Sequence, residues 1–231
     1  MPLFYQQDIN AETRLGLWRI EEPEAFFQAR VPMQREITHP HKRLQHLAGR
    51  FLLRELFADF PMDLIRIADT RKPFVADESF HFSISHCGPW AAAIASNTHR
   101  VGVDVEASTS RVLRILDKFL HPEERHMLDT FQDTASVGPL SPAWGNSEAD
   151  EKPHAKYQEI ATMLWSIKES VFKWDGIGGV DFSEMIRVEA LPVEAEGQVP
   201  GWFARDTRIP LRLHFKAIGD LCLSYVVTDL N

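Results

Sequence analysis

The sequence predicts an α+β fold built from two similar, pseudo-symmetric α/β halves, each with an antiparallel sheet packed against a long helix. Residues 42–59 and 163–174 both repeat apolar side chains at helical spacing. After each of them come short runs that alternate apolar and polar residues and end at turn residues, which is typical of antiparallel strands. This weak internal repeat divides the chain into residues 1–103 and 104–231, and we expect a ligand site between the two halves.

The composition is that of a globular protein without a general attraction for polyanions. Of its 231 residues, 44% are hydrophobic, which is enough for a sizeable core. Lysine and arginine number 25 against 33 acidic residues, so the net charge of −8 predicts no nucleic-acid partner and no membrane partner. We see no secretion signal and no long apolar run, and Cys87 and Cys222 lack metal-type spacing. We therefore expect a cytoplasmic protein with reduced thiols.

The first half predicts a short helix, a long helix and a series of strands. Prolines bracket the short helix over residues 24–30, and the long helix over residues 42–59 has one broad apolar stripe. Strands are predicted at residues 14–20, 64–68, 80–86, 90–95 and 101–106, with a turn at 69–74. Since a meander brings the ends of neighbouring strands side by side, we expect His86 to lie near Asp104.

The second half predicts helices over residues 112–119, 123–131 and 163–174. Residues 134–156 contain three prolines and few apolar side chains, which indicates a mobile loop before the last helix. Glycines end that helix. Strands are predicted after it at residues 185–188, 201–204, 211–215 and 221–227.

The strand over residues 101–106 carries two carboxylates in an otherwise apolar run. Strand alternation directs Asp104 and Glu106 to one face and the three valines to the core. Two anions on one face repel each other, and a cation between them would relieve that repulsion; oxygen ligands favour a hard cation such as Mg²⁺, with Mn²⁺ as an alternative. The other interpretation is an edge strand whose polar face is solvated.

The helix over residues 163–174 carries a second charged group. Glu169 lies 63 positions after Glu106, and Lys173 lies four positions after Glu169 on the same helix face. By themselves, a glutamate and a lysine at this spacing are also typical of a solvent-exposed surface pair, which stabilises a helix by about 0.3–0.5 kcal/mol.

Three segments together resemble one family. They are GVDVE at residues 102–106, WSIKESVFK at 165–173 and FSISH at 82–86. Their order and spacing resemble the Sfp-type 4′-phosphopantetheinyl transferases, whose signatures are G-(V/I)-D-(V/I)-E and, some sixty residues later, W-x-x-K-E-x-x-x-K. Further matches at Lys72-Pro73 and in the helix around Arg50 extend the resemblance over residues 35–173.

The resemblance implies a reaction and a set of partners. The family transfers the phosphopantetheine arm of coenzyme A to a serine of an acyl or peptidyl carrier protein and releases 3′,5′-ADP, with the active site between the two halves. By this analogy Asp104, Glu106 and Glu169 bind Mg²⁺, which bridges the pyrophosphate of coenzyme A. Glu169 accepts the serine proton directly or through water, and Lys173 neutralises charge on the phosphate. For Lys168, the same phosphate role and a solvent-facing position stay open.

The resemblance also assigns the groups that hold coenzyme A. Beyond Asp104, Lys168 and Lys173, the expected contacts come from Arg35, Arg71, Lys72, Pro73, Ser85 and His86. Ser85 and His86 match a pair that contacts the phosphates. The stretch around Lys72 matches the segment that holds the adenine and 3′-phosphate end, although the family often has glycine where this chain has Arg71. Arg35 is matched to an upstream basic residue that reaches the 3′-phosphate.

The sequence predicts the surface that docks the carrier protein less well than it predicts the reaction centre. The family docks acidic carrier proteins near residues 134–156 and the helix that follows, yet this segment contains Glu148, Asp150 and Glu151. The motifs do not specify a carrier from fatty-acid, polyketide or nonribosomal peptide biosynthesis. Because internal pseudo-symmetry takes the place of a homodimer's symmetry, we expect a monomer.

Two other functions stay open. Another Mg²⁺-dependent phosphate chemistry, such as nucleotide hydrolysis, would use the same carboxylates and cations, although the sequence has no P-loop. A coenzyme A- or carrier-binding protein without transfer activity would need similar binding groups. The intact Asp104, Glu106, Glu169 and Lys173 favour an active transferase over that alternative.

Overall fold

The computed structural model describes residues 3–33, 36–70, 72–136 and 151–230 as a mixed α/β chain with antiparallel sheets. Two compact units are formed. Unit 1 contains Met1–Val105, Glu169–Gly178 and Tyr225–Asn231, and unit 2 contains Glu106–Lys168 and Gly179–Ser224. The predicted α+β class is thereby confirmed, whereas the predicted pseudo-symmetry of two halves stays a prediction.

The first part of the chain forms a sheet and its covering helices. The strands and helices are β1 (Leu3–Asn10), β2 (Thr13–Arg19), α1 (Glu24–Gln28), α2 (Pro40–Leu56), β3 (Ile65–Ile67), β4 (Pro73–Val75), β5 (His81–Cys87), β6 (Trp90–Ser96) and β7 (His99–Ala107). One sheet has the order β1-β2-β6-β5 with antiparallel neighbours. Strands β3 and β4 pair separately as an antiparallel ribbon.

Helix α2 packs on strands β2, β5 and β6 of this sheet. Its stripe of Leu47, Ala48 and Leu52 is fully buried, and each leucine contributes about 1.5–3 kcal/mol through burial of its side chain. Gly49 lies where the helix approaches β5 most closely, because a Cβ there would be only 2.5 Å from the Ile84 side chain. The missing side chain lets the helix lie directly on the sheet.

The second part of the chain continues with α3 (Leu116–Phe119), α4 (Pro122–Ser136), α5 (Glu151–Asp175), β8 (Ile186–Val188), β9 (Glu196–Ala204), β10 (Arg208–Ile218) and β11 (Leu221–Asp229). A second sheet has the order β7-β11-β10-β9-β8. Strand β9 pairs antiparallel with both β8 and β10. In unit 2, Ser166 of α5 hydrogen-bonds to Ser224 of β11, with 2.9 Å between the two hydroxyl oxygens.

Several predicted boundaries need correction. Strand β1 was not predicted, since its half-buried residues alternate with exposed ones and give little apolar contrast. Part of the predicted turn at 69–74 is strand β4, and the predicted helix over 112–119 is a 3₁₀ turn followed by α3. The loop predicted at 134–156 is wrong at both ends, where α4 and α5 extend into it, and its residues 137–150 lie outside the described residues.

Within the described ranges, none of the helices combines the length and the apolar character required to cross a lipid bilayer.

Candidate active site

One face of β7 lies directly against the C-terminal part of α5. By strand alternation, Arg100, Gly102 and Asp104 share this face, and Val103 on the opposite face is completely buried. A Cβ on Gly102 would lie 2.1 Å from the carbonyl oxygen of Ser170 and 2.7 Å from the backbone nitrogen of Trp174. Only glycine allows the helix backbone to come this close, and this close approach positions the side chains of α5 beside those of β7.

Asp104 pairs with a lysine and a serine. Its Oδ1 accepts a hydrogen bond from Ser85 Oγ at 2.7 Å and from Lys173 Nζ at 2.5 Å. Lys173 Nζ also donates to Ser85 Oγ at 2.8 Å. The three side chains therefore form a polar cluster in which Ser85 contacts Asp104, and the charge of Asp104 also acts on His86, which was expected to lie near it.

Asp104 has one oxygen left over. The residue is only 1% exposed, and its Oδ2 is buried with no hydrogen-bond partner among the described residues. The alternative prediction of a solvated polar face is therefore wrong for this residue. A buried carboxylate oxygen without a partner costs free energy, on the order of 1–3 kcal/mol or more for a charged group, so this atom is a candidate ligand for a bound cation or donor.

The two other predicted metal ligands are on different elements, Glu106 on β7 and Glu169 on α5. Glu106 is two residues further along β7, and Glu169 is one helical turn before Lys173 on α5; both are half-buried. No group of three histidine, cysteine or acidic side chains is assembled for metal binding within the described ranges. The observation that favours a bound cation or donor here is the buried Oδ2 of Asp104, which has no hydrogen-bond partner among the described residues.

A cavity of about 220 Å³ lies in unit 1 next to this cluster. Its walls include the apolar side chains of Phe82, Ile84 and Phe172 together with Lys72 and Lys173. Apolar walls with two cations suit a ligand that joins a ring or an alkyl chain to phosphate. Pro73, another predicted binding residue, also lines the cavity.

Lys72 and His86 are both held in environments that lower their pKa. Lys72 Nζ donates to the carbonyl oxygen of Trp174 at 3.3 Å, and burial together with Arg100 lowers the Lys72 pKa to about 8, against the opposing effect of Asp175. Desolvation and the charge of Lys173 lower the pKa of His86, against the opposing effects of a backbone hydrogen bond and of Asp104. Both groups are therefore less readily protonated than free side chains.

Lys168 requires a correction. Its side chain is 0% exposed, so it neither faces solvent nor has room for a phosphate. Its Nζ donates to Glu124 Oε2 at 2.6 Å and to the carbonyl oxygens of Phe119, Phe182 and Ile186 at 2.7–2.8 Å. Burial lowers its pKa to about 8, while Glu124 acts in the opposite direction. Lys168 is a structural cation of unit 2.

Three further arginines have to be placed relative to the predicted site. Arg35 and Arg71 lie outside the described residues. Arg100 was not predicted, although its position two residues before Gly102 and four before Asp104 places it on the same strand face. That alternation is the signal that would have identified it.

The fold and the cluster define a mixed α/β protein with a buried carboxylate, a lysine and a serine at a candidate phosphate site. A family model described as the 4′-phosphopantetheinyl transferase superfamily matches residues 100–226, a span that contains Asp104, Glu106, Glu169 and Lys173. This match covers more than half of the chain. The protein belongs to the 4′-phosphopantetheinyl transferase superfamily, and the predicted family is confirmed.

Two curated relatives agree with this assignment. The chain is 30% identical over 132 residues to the 4′-phosphopantetheinyl transferase gsp of Aneurinibacillus migulanus. The aligned residues make up 57% of this chain and 46% of that protein. It is 29% identical over 133 residues to the 4′-phosphopantetheinyl transferase psf-1 of Bacillus pumilus. These aligned residues make up 56% of this chain and 47% of that protein. The matched part of the chain thus spans about half the length of these relatives.

Proposed function

We propose that the protein transfers the 4′-phosphopantetheine arm of coenzyme A to a serine hydroxyl of an acyl or peptidyl carrier protein and releases 3′,5′-ADP. The observation that carries this proposal is the buried Asp104, whose Oδ1 binds Lys173 and whose Oδ2 has no partner among the described residues. Both residues lie within the span matched by the superfamily model. The names of the two relatives support the same reaction.

The proposed reaction is a phosphoryl transfer. The serine oxygen of the carrier bonds to the phosphorus that bears the pantetheine arm, and the bond from that phosphorus to the bridging oxygen breaks. The electron pair of the broken bond leaves with 3′,5′-ADP, and Glu169 accepts the serine proton directly or through water. Lys173 neutralises negative charge on the phosphate, since such reactions depend mainly on positioning and electrostatic stabilisation.

We further propose Mg²⁺ as the metal, with Mn²⁺ as a substitute. Asp104, Glu106 and Glu169 would hold the ion, which supplies charge neutralisation to the pyrophosphate when bound. The unpartnered, buried Oδ2 of Asp104 supports a cation at this position, and the three carboxylates supply the oxygen ligands that Mg²⁺ prefers.

Coenzyme A binding is proposed for the residues around the cavity of unit 1. Lys72 and Pro73 would contact the adenine and 3′-phosphate end, while Ser85 and His86 would contact the phosphates. The apolar and cationic walls of the 220 Å³ cavity are consistent with such a ligand. Arg35 and Arg71 stay proposed contacts on the basis of the resemblance alone.

The partner and the setting are proposals as well. A carrier protein is the second substrate, and the docking surface is proposed near residues 134–156. We propose a cytoplasmic monomer that acts in fatty-acid, polyketide or nonribosomal peptide biosynthesis.

The test is the intact mass of apo carrier proteins from all three kinds of pathway after incubation with the protein, coenzyme A and Mg²⁺. The expected result is a gain of about 340 Da, lost in chelator and restored by Mg²⁺ or Mn²⁺. Glu169→Gln should abolish the gain. Glu21→Gln is the matched control, because Glu21 is an exposed glutamate that pairs with Arg19 at 3.1 Å and belongs to neither the proposed site nor the proposed docking surface.

Other outcomes would favour the alternatives. Binding of coenzyme A in calorimetry without any mass gain would indicate a binding protein that lacks transfer activity. Release of phosphate or nucleotide from coenzyme A in the absence of a carrier would indicate a hydrolase. Full activity of Glu169→Gln would remove Glu169 from the proposed mechanism while leaving the transferase function intact.

A further inference from the structure

Arg100 holds the C-terminal end of α5 through three contacts. Its Nε donates to the carbonyl oxygen of Trp174 at 2.9 Å, and a terminal nitrogen donates to that of Asp175 at 2.5 Å. Its guanidinium carbon lies 4.5 Å from the centroid of the Trp174 ring. The last carbonyls of a helix have no partner within the helix, so a cation at this end satisfies them and interacts favourably with the helix dipole.

The ring that Arg100 covers is itself fixed from another side. Trp174 is only 3% exposed, and its Nε1 donates to Thr228 Oγ1 of β11 at 3.0 Å. Gly102, two residues beyond Arg100, leaves space for the backbone of the same helical turn. The last turn of α5 is therefore held by its backbone and by an aromatic side chain.

The same turn carries Lys173, the lysine that pairs with Asp104. Arg100 and Asp104 are four residues apart on one face of β7, so the strand contacts the helix end at one point and the Lys173 ammonium at another. Arg100 contacts neither Lys173 nor Asp104 in any hydrogen bond described above, and the residues that connect Arg100 to Lys173 are those of the last turn of α5.

We infer that Arg100 is a positioning residue: by fixing the last turn of α5 it sets the location of Lys173 relative to Asp104 and Ser85. The catalytic consequence of this role rests on the proposed function. Misplacement of a charged group by about 1 Å can lower a rate by up to about 100-fold, even when the altered residue touches no substrate. Arg100 thus joins the site without belonging to the family motifs from which the site was first predicted.

The first arm of the test measures Lys173 directly and needs no activity. In protein with ¹⁵N-labelled lysine, NMR should detect the hydrogen-bonded ammonium groups of Lys168 and Lys173, with the second signal assigned by its loss in Lys173→Arg. Arg100→Ala should broaden or shift the Lys173 signal and leave that of Lys168 unchanged. Lys168 is a suitable internal reference because its ammonium is enclosed by Glu124 and three carbonyl oxygens in unit 2.

The second arm measures transfer. Arg100→Ala should lower kcat about tenfold, whereas any change in the KM for coenzyme A would report on Lys72, which donates to the same Trp174 carbonyl oxygen. Arg100→Lys should recover part of kcat, since an ammonium can donate to a carbonyl but cannot form the two-pronged contact. Added to Lys173→Ala, Arg100→Ala should cause no further loss, because both changes act on one group.

Arg208→Ala is the matched control. Arg208 also stacks on a tryptophan, with its guanidinium carbon 4.4 Å from the Trp202 ring, but it belongs to unit 2 and donates to Glu189. The inference is overturned if Arg208→Ala and Arg100→Ala affect the Lys173 signal equally, or if Arg100→Ala leaves that signal unchanged. If the wild type shows no transfer while Arg100→Ala still disturbs Lys173, the proposed function fails and the positioning role stands.

Discussion

Lys168 and Lys173 lie five positions apart on α5 and both pair with a buried carboxylate, yet their surroundings differ. Lys168 is fully enclosed, and its partner Glu124 also accepts hydrogen bonds from the backbone nitrogens of His121 and Val188, both at 2.7 Å. The Lys173 side chain is 25% exposed, and its partner Asp104 retains a buried oxygen without a partner among the described residues.

The difference separates an ion pair that stabilises the fold from one that is suited to function. Where every acceptor already has a donor, a further ligand would have to break a hydrogen bond, so the Lys168 pair is closed. In the Lys173 pair an acceptor is still available and one partner reaches solvent. Buried polar groups in folded proteins are nearly always satisfied, and an exception next to a partly exposed cation therefore supports a candidate site here.

The largest effect on stability is expected for Lys168→Met. The change leaves the Glu124 charge buried without its cation, and we expect the free energy of unfolding to fall by about 3–5 kcal/mol. Urea denaturation measures it. Lys156→Met on the same helix is the control: its ion pair with Glu159 is about one-third exposed, so a loss below about 0.5 kcal/mol is expected. A loss under about 1 kcal/mol for Lys168→Met would contradict the structural role.

Lys173→Met should give the opposite pattern. We expect transfer to the carrier to slow by about 100-fold, because a preorganised cation at the phosphate is lost. The free energy of unfolding should fall by only about 1–2 kcal/mol, since Ser85 still donates to Asp104 and solvent reaches this side. Intact-mass kinetics and urea denaturation on one preparation test both expectations. Unchanged transfer with a large loss of stability would make Lys173 a second structural lysine.

The smallest effect is expected for Lys72, a third lysine that contacts α5. It donates to a backbone carbonyl oxygen of the helix and has no carboxylate partner in that hydrogen bond. Its pKa is about 8 in the folded protein and about 10.5 in a free lysine, so between these pH values the unfolded chain binds more protons. The wild type should therefore gain stability relative to Lys72→Met as the pH rises from about 8 to about 10.5. Urea denaturation at several pH values tests this, and a difference independent of pH would contradict it.

The sequence predicts the parts of the site that depend on local periodicity. Alternation alone assigns Val103 to the core and Asp104 to the opposite face, and both assignments agree with the structure. The start of α5 is different: its first turns contain a proline and many polar residues, so no apolar stripe marks where the helix begins. The helix nevertheless begins at Glu151, twelve residues before the predicted start at residue 163.

Long-range partners explain the rest of what was missed. Lys168 pairs with Glu124, 44 residues earlier, and no local pattern connects them. A helical projection would have given a warning, since Lys168 lies between Leu164 and Val171 on the buried stripe of α5. For Arg100, the strand face was predictable, but its contact with the carbonyl oxygens of Trp174 and Asp175 depends on how a helix 74 residues later ends.

The glycine at position 102 has a consequence for how relatives of this protein can diverge. Because a single methyl group there would overlap the backbone of α5, a substitution can persist only where the helix has shifted, and a shifted helix would carry Lys173 and Trp174 with it. Changes at these positions are therefore coupled and should occur together. In an alignment of relatives, sequences without this glycine are expected to have substitutions at the positions of Lys173 and Trp174 as well.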